Sequence, residues 1–283
     1  MKIKKMFGCC LVAMSGLIPY STVIAEELPW DKKLPFESIA IEYEISGLET
    51  GKETLYIRDF GKEQVTYSDS TTKIMGMAVQ EKSVEFVTPD YIYSYDLQAR
   101  EGMKTTNPQK HMENAYNELT AEEKKQVLKN SESMGGAFAE GMAGELQEKA
   151  TKILGYDCDR VDIMNGSGTT YMMHGTSIPL KIEMNMMGMK MITAATSVKV
   201  GDVDPKVFEH PAGIQAKVDP ESDAMTEAMS RQMMNAMKDP EASKKGVSAL
   251  HGAAAEENMI EEDKAMIEQA GELLKGMQNI FGN

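Results

Sequence analysis

The residues with the most unusual type and spacing in this sequence are its methionines, of which there are 25 in 283 residues. Five of them fall within eight consecutive positions: Met184, Met186, Met187, Met189 and Met191. Thioether sulfur is a soft ligand suited to Cu(I) or Ag(I), and M-x-M spacing on a strand places alternate sulfurs on one face. One interpretation of this segment is therefore a soft-metal site.

A second interpretation of the methionines is apolar packing. Methionine is a flexible, polarizable side chain that fills irregular apolar surfaces, including cavities and grooves that adapt to variable ligands. We adopt this interpretation, under which the protein has no metal and no other cofactor. The soft-metal protein of the cell envelope is kept as an alternative.

Sequence patterns of enzymes are not found in the chain. The four histidines are far apart: His111, His174, His210 and His251. None belongs to an H-E-x-x-H or Cys-x-x-Cys pattern, so we interpret them as scattered surface residues. Gly166-Ser167-Gly168 begins like a dinucleotide-binding fingerprint, but a strand follows where that motif requires a helix. We expect a protein without catalytic residues.

Cys158 is interpreted as a structural thiol. Its neighbours Asp157 and Asp159 carry negative charges that disfavour a thiolate. Strand alternation also sends the Cys158 side chain to the face opposite theirs. We therefore expect a buried thiol rather than a nucleophile.

Residues 1–25 have the pattern of a cleavable signal peptide. Three lysines lie within the first five residues, an apolar run follows, and small or β-branched residues precede position 26. The pattern predicts cleavage between Ala25 and Glu26 and a mature protein that is periplasmic or secreted.

The charge of the mature chain limits its partners. Removal of residues 1–25 takes the formal net charge from −14 to −17, because three lysines and no acidic residues are lost. This acidity argues against nucleic acid and anionic lipid surfaces as electrostatic partners. Since no later segment approaches the roughly 20 consecutive apolar residues of a membrane-spanning helix, no transmembrane span is expected in the mature protein.

An antiparallel sheet is predicted for most of residues 37–214. The clearest strand alternates Ile39, Ile41, Tyr43 and Ile45 with polar residues, as a half-buried sheet requires. Further strands are predicted at residues 55–60, 64–70, 73–80, 84–87, 91–95, 153–163, 169–173 and 180–200, the last with a turn near 187–188. Short strands with tight turns favour antiparallel pairing.

Two segments have helical patterns. A capping box at Thr120–Glu123 precedes apolar residues at every fourth position, which predicts a helical insertion at about 108–150: Met134, Phe138, Met142, Leu146 and Ala150. After Pro220 the composition changes, and methionines recur every fourth residue: Met225, Met229, Met233 and Met237. A second amphipathic helix is predicted at 259–281.

These patterns predict an α+β protein in three parts. Residues 1–25 form the signal peptide, residues 26–214 form the β domain with its helical insertion, and residues 215–283 form a methionine-rich helical extension. The sheet, the helices beside it and the methionines suggest an apolar cavity covered by a helical lid, although ordinary core packing accounts for the same pattern.

Several segments resemble an uncharacterised exported domain family related to the periplasmic lipoprotein carriers LolA, LolB and LppX. The resemblance is carried by Tyr43–Gly47, Glu53–Ile57, Tyr91–Leu97, Gly155–Asp159, Ile178–Met191 and Pro211–Ile214. It implies an open antiparallel β half-barrel wrapped around helices, whose apolar face holds acyl chains during transfer between envelope membranes. The helical insertion falls where those carriers have lid helices.

The function predicted from the sequence is non-catalytic binding or transport of a lipid or an acylated, lipoprotein-like ligand in the cell envelope. The predicted ligand-lining residues are Ile39, Ile41, Tyr43, Leu55, Ile57, Val84, Phe86, Tyr93, Phe138, Met142, Ile182, Met184, Met186, Met189 and Met191. Besides the soft-metal alternative, a third possibility is an envelope assembly protein that recruits a protein partner through its carboxy-terminal helices.

Overall fold

The computed structural model describes residue 28 and residues 33–74, 77–130, 146–163, 168–186 and 189–238. Over these residues the protein is an open, mostly antiparallel β-sheet with a few helices, so the predicted α+β class is confirmed. None of the helices in the described ranges is long and apolar enough to cross a bilayer.

The described residues contain twelve strands in a single sheet. Their bounds are β1 Ile39–Gly47, β2 Glu49–Arg58, β3 Glu63–Ile74, β4 Met77–Val87, β5 Tyr91–Asp96, β6 Glu101–Thr106, β7 Gln147–Ile153, β8 Tyr156–Ile163, β9 Gly168–Met173, β10 Pro179–Met186, β11 Met189–Val200 and β12 Ala216–Val218. The spatial order is β12-β6-β5-β4-β3-β2-β1-β11-β10-β9-β8-β7. Because β12 and β7 are the two outer strands, the sheet is not closed.

Two runs of hairpins build the sheet, β1 to β6 and β7 to β11. Strands β1 and β11 pair antiparallel and join the two runs, with a register from Ile39 opposite Val200 to Gly47 opposite Met191. At one edge β12 pairs with β6 in the only parallel pairing of the described sheet. This edge strand extends the sheet to Val218, beyond the predicted end of the β domain at residue 214.

The sheet has two faces with different residues, which we name the Ile41 face and the Phe86 face. In β1 the alternation predicted from the sequence is confirmed, since Ile39, Ile41, Tyr43 and Ile45 are buried. Residues directly opposite one another in an antiparallel pair point to the same face. The pairings of β1 with β2 and β11 therefore define the Ile41 face across neighbouring strands.

The described part of the predicted helical insertion contains two helices. Helix α1 spans Pro108–Asn117, and residues 121–130 belong to helix α2, which begins at the predicted capping box. There the Glu123 amide donates to Thr120 Oγ1 at 3.3 Å, and the Thr120 amide donates to Glu123 Oε2 at 2.9 Å. Predicted residues Met134, Phe138 and Met142 lie outside the described residues.

The helical prediction is wrong at Leu146, which is not helical, and at Ala150, which lies in β7. Strand β7 pairs with β8 through a turn at Leu154-Gly155, where both residues have positive φ, +50° and +88°. Pairing with β8 overrides the local helical pattern in this segment. The same turn divides the strand predicted at 153–163.

Helix α3 spans Pro220–Lys238 and packs with α1 and α2 in a small helical cluster. Its buried core consists of Met112, Val127, Met234 and Met237. The Asn130 side chain also donates to the Met237 carbonyl at 2.6 Å. The methionine stripe of α3 is divided, because Met225 and Met229 are exposed. The predicted helix at 259–281 lies outside the described residues.

Asn107 connects α1 to the sheet, and we expect its loss to destabilise the protein. Its Oδ1 accepts from the Gln109 amide at 2.9 Å as the N-cap of α1, and its Nδ2 donates to the Thr88 carbonyl at 2.7 Å. Asn107→Ala removes both bonds and should lower the free energy of unfolding by about 2 kcal/mol, measured by urea denaturation. Asn107→Ser keeps a capping acceptor without adding a charge and should lose less. An alanine variant as stable as the wild type would contradict this role.

Candidate functional site

The strand register places the predicted lining residues on two opposite faces of the sheet. Ile57 lies opposite Gln64 in β3, whereas Phe86 lies opposite the next residue, Val65. Adjacent residues of a strand point to opposite faces, so Ile57 and Phe86 do not share one. Ile39, Ile41, Tyr43, Leu55 and Ile57 are on the Ile41 face, and Val84, Phe86 and Tyr93 are on the Phe86 face.

The first of these groups belongs to a packed core. Its five residues are buried in one cluster with Leu34, Ile178, Leu180 and Cys158. The Tyr43 hydroxyl donates to the Pro179 carbonyl at 2.8 Å, which ties β1 to the start of β10. These side chains therefore contact one another and form the centre of the Ile41 face.

The second group is covered by the chain between β11 and β12. A 3₁₀ helix at Pro205–Phe208 contributes Val207 and Phe208 to the cluster around Val84 and Phe86. The Tyr67 hydroxyl donates to the Val207 carbonyl at 2.7 Å and anchors this segment. The Phe86 face is therefore occupied by the protein's own residues.

His210 lies among aromatic rings in this covering segment. Its ring centroid is 4.4 Å from that of Phe86 and 4.7 Å from that of Tyr93, and its Nδ1 is 2.8 Å from the Tyr95 hydroxyl. His210 remains exposed at the surface, and its partial burial against these rings lowers its pKa below the ordinary value, because the imidazolium loses some of its hydration. His210 is thus part of the packing between the segment and the sheet, a role that its sequence position did not predict.

The remaining predicted lining residues lie at one end of the β10–β11 hairpin, on the Ile41 face. Met184 lies opposite Met191, Ile182 lies opposite Thr193, and Ile45 of β1 also lies opposite Thr193. Ile45 and Met184 are buried, and Ile182 and Met191 are half-buried. We name Ile45, Ile182, Met184 and Met191 the methionine corner.

Glycines flank the methionine corner on both sides. In one row across four strands, Gly47 lies opposite Met191, Met191 lies opposite Met184, and Met184 lies opposite Gly168. At Gly47 the backbones of β1 and β11 lie so close together that a Cβ atom would overlap the Lys190 carbonyl, and Gly168 is buried. Met186 and Met189 form the next opposed pair toward the turn, and the Met189 side chain is 46% exposed.

The Ile41 face is polar at Glu53 of β2 and across much of β3 and β4. Thr66, Ser70 and Glu85 are buried there, and Glu53 is half-buried. Ser94 Oγ donates to Glu85 Oε2 at 3.4 Å. We name Glu53, Thr66, Ser70 and Glu85 the polar strip. One face of the sheet therefore carries an apolar corner and a polar strip.

Glu53 is a carboxyl group of the polar strip with a strongly raised pKa. Burial raises its pKa to about 7, and the negative charges of Glu85 and Glu49 contribute to the increase. Sequence alternation could have identified this residue, since Glu53 shares its face with Leu55 and Ile57 in β2. Because the chain is rich in carboxylates, Glu53 did not stand out among them in the sequence.

Two other histidines have defined surroundings. His174 Nδ1 is 2.7 Å from Oδ1 of the buried Asp159, and that oxygen also accepts from the Lys149 amide at 2.8 Å. Asp159 therefore orients the imidazole and ties β7 to β8. His111 lies in a cleft of about 310 Å³ between α1 and α3, and its Nε2 is 3.9 Å from Asp223 Oδ1. His251 lies outside the described residues.

Cys158 is completely buried, as the sequence predicted. Burial raises the pKa of its thiol, and the charges of Asp159 and Asp157 raise it further. A high thiol pKa keeps the sulfur protonated at neutral pH. The structural interpretation of Cys158 is therefore supported by its position.

Comparison with known proteins identifies no family for this chain. No family model matches it, and no curated protein matches it. Among solved structures it is similar to an uncharacterized conserved protein from Thermus thermophilus, with 8% sequence identity and a TM-score of 0.39 over 65% of this chain and 92% of that chain. It is also similar to PNGF-II, with 15% identity and a TM-score of 0.37 over 70% of this chain and 33% of that chain.

Proposed function

We propose that this protein is an exported, non-catalytic binding protein that carries a lipid or the acyl part of a lipoprotein-like ligand in the cell envelope. The observation that carries the proposal is the methionine corner, an apolar part of the sheet in which Ile182 and Met191 remain partly accessible and which continues to the exposed Met189. In the proposed state the open sheet curves as a half-barrel, and the helical insertion and carboxy-terminal helices cover the ligand.

The composition of the Ile41 face supports an amphipathic ligand. An acyl chain would lie on Ile182, Met184 and Met191, and a polar head group would lie toward the polar strip. Each methylene group removed from water contributes about 0.8 kcal/mol before the cost of ordering the ligand. Methionine side chains adapt to chains of different shape, so such a surface accepts more than one ligand.

A charge in the methionine corner is expected to weaken ligand binding. Met191→Lys places an ammonium group where an acyl chain would lie, and desolvation of that charge opposes binding. We expect at least about tenfold weaker binding of a dansyl-labelled undecanoic acid, measured by the blue shift and increase of its fluorescence. Met191→Leu preserves an apolar surface and should bind like the wild type.

The matched control is Val200→Lys. Val200 is on the same face of the same strand, but it lies at the far end of β11 and is 49% exposed. This variant adds the same charge to the protein away from the corner and should bind the probe like the wild type. Equal binding by Met191→Lys and Val200→Lys, or no binding by the wild type, would contradict the proposed site.

A further inference from the structure

We propose that the β10–β11 hairpin also forms a site for a soft monovalent metal ion of the Cu(I) and Ag(I) class. This site does not depend on the proposed lipid function. Its residues are Met184 and Met191, which lie opposite each other on the Ile41 face, and Met189, which lies two residues from Met191 on the same face of β11. The sequence showed alternating methionines within each strand, and the register of the hairpin places those of β10 directly opposite those of β11.

The spacing of these positions suits a shared ion. Residues directly opposite in an antiparallel pair have Cβ atoms about 4.5–5.5 Å apart. A thioether sulfur is two bonds beyond Cβ, so the sulfurs of Met184 and Met191 can reach a common ion between the two strands. Met189 is only two residues from Met191 along β11.

The surroundings of the three methionines give the ion an entrance. Met184 is buried and Met189 is 46% exposed, which gives the site a dry inner end and a wet outer end. Partial dehydration favours a weakly hydrated soft ion over a strongly hydrated hard one.

The charges near the hairpin are compatible with a cation. Lys190 alternates with Met189 and Met191, so its side chain points to the opposite face of the sheet. The neutral sulfurs select soft metals over Mg²⁺ or Ca²⁺, which prefer oxygen ligands. Within the described ranges there is no cluster of three or more His, Cys, Asp or Glu residues suited to a metal ion.

Titration with Ag(I), which needs no reductant, tests this site. Native mass spectrometry should show one ion bound to the purified chain, and isothermal titration should show at least about tenfold weaker binding by Met184→Leu/Met191→Leu. Leucine conserves the apolar volume, and circular dichroism checks the fold. The control is Met225→Leu/Met229→Leu, which removes two exposed methionines from α3 and should bind like the wild type.

A second control removes the thiol. Cys158→Ala should still bind one Ag(I), because the proposed ligands are thioethers. The site is refuted if the wild type binds no Ag(I), if the double hairpin variant binds it like the wild type, or if Cys158→Ala abolishes binding. Binding of the dansyl-labelled fatty acid by Met191→Leu is measured in parallel, so that failure of the metal site and failure of the lipid site are distinguished.

Discussion

Glu53→Gln is expected to stabilise the protein at pH 8 by on the order of 3 kcal/mol. The pKa of this carboxyl group rises from 4.5 to about 7 on folding, chiefly because it is buried and also because Glu85 and Glu49 are negative. At about 1.4 kcal/mol for each unit of pKa, ionised Glu53 opposes folding by that amount. Glutamine occupies the same space without a charge.

The stabilisation is expected only where Glu53 is ionised in the folded protein. Above pH 7 Glu53 is ionised in both the folded and the unfolded states, so the full cost of burying its charge opposes folding. Between pH 7 and pH 4.5 the folded state holds a proton that the unfolded state has released, and the cost falls as the pH falls. Below pH 4.5 the group is protonated in both states, and the advantage of Glu53→Gln disappears.

Urea denaturation of the wild type and Glu53→Gln between pH 4.5 and pH 8 measures this difference. Glu44→Gln is the matched control, because Glu44 is an exposed residue of β1 that points away from the Ile41 face. It removes the same charge and should show no comparable gain at pH 8. A difference between Glu53→Gln and the wild type that does not depend on pH would contradict the burial of Glu53.

Gly47→Ala is expected to destabilise the protein by on the order of 3 kcal/mol. Gly47 has φ +107°, a conformation that strains any residue with a Cβ atom by about 1–2 kcal/mol. A Cβ atom at this position would also overlap the Lys190 carbonyl in β11. The backbone of the β1–β11 pair would have to separate locally, and this pair joins the two halves of the sheet.

Gly201→Ala separates these two costs. Gly201 also has a positive φ, +125°, but a Cβ atom there would meet no atom within 4 Å. Gly201→Ala should lose only the strain contribution. The temperature of thermal unfolding should therefore be highest for the wild type, lower for Gly201→Ala and lowest for Gly47→Ala. Equal destabilisation by the two substitutions would show that the close approach of β1 and β11 at Gly47 does not matter.

The sheet was predictable because its strands follow simple local rules. The alternation from Ile39 to Ile45 indicated β1. The turn expected near residues 187–188 lies outside the described residues, and β10 ends at Met186 and β11 begins at Met189 on either side of it. The helical pattern through Ala150 failed because residues 147–153 pair with β8, and the sequence of a segment does not encode its partner strand. Pairing across the sheet also placed β12 beyond the predicted domain end.

The candidate site was less predictable for the same reason. Ile57 and Phe86 look equally apolar in the sequence, and only the register of β2, β3 and β4 shows that they lie on opposite faces. The opposed pairing of Met184 with Met191 could be anticipated from a turn at 187–188. The glycines beside that pair come from β1 and β9, whose positions depend on the complete strand order.

Native mass spectrometry of the exported protein, purified without detergent or chelator, tests the central claim most directly. We predict a lipid-sized adduct in one-to-one ratio with the wild type, and its loss from Met191→Lys but not from Val200→Lys. The mass of the chain alone, found both after purification and after incubation with phospholipid vesicles, would contradict the proposal that this protein carries a lipid.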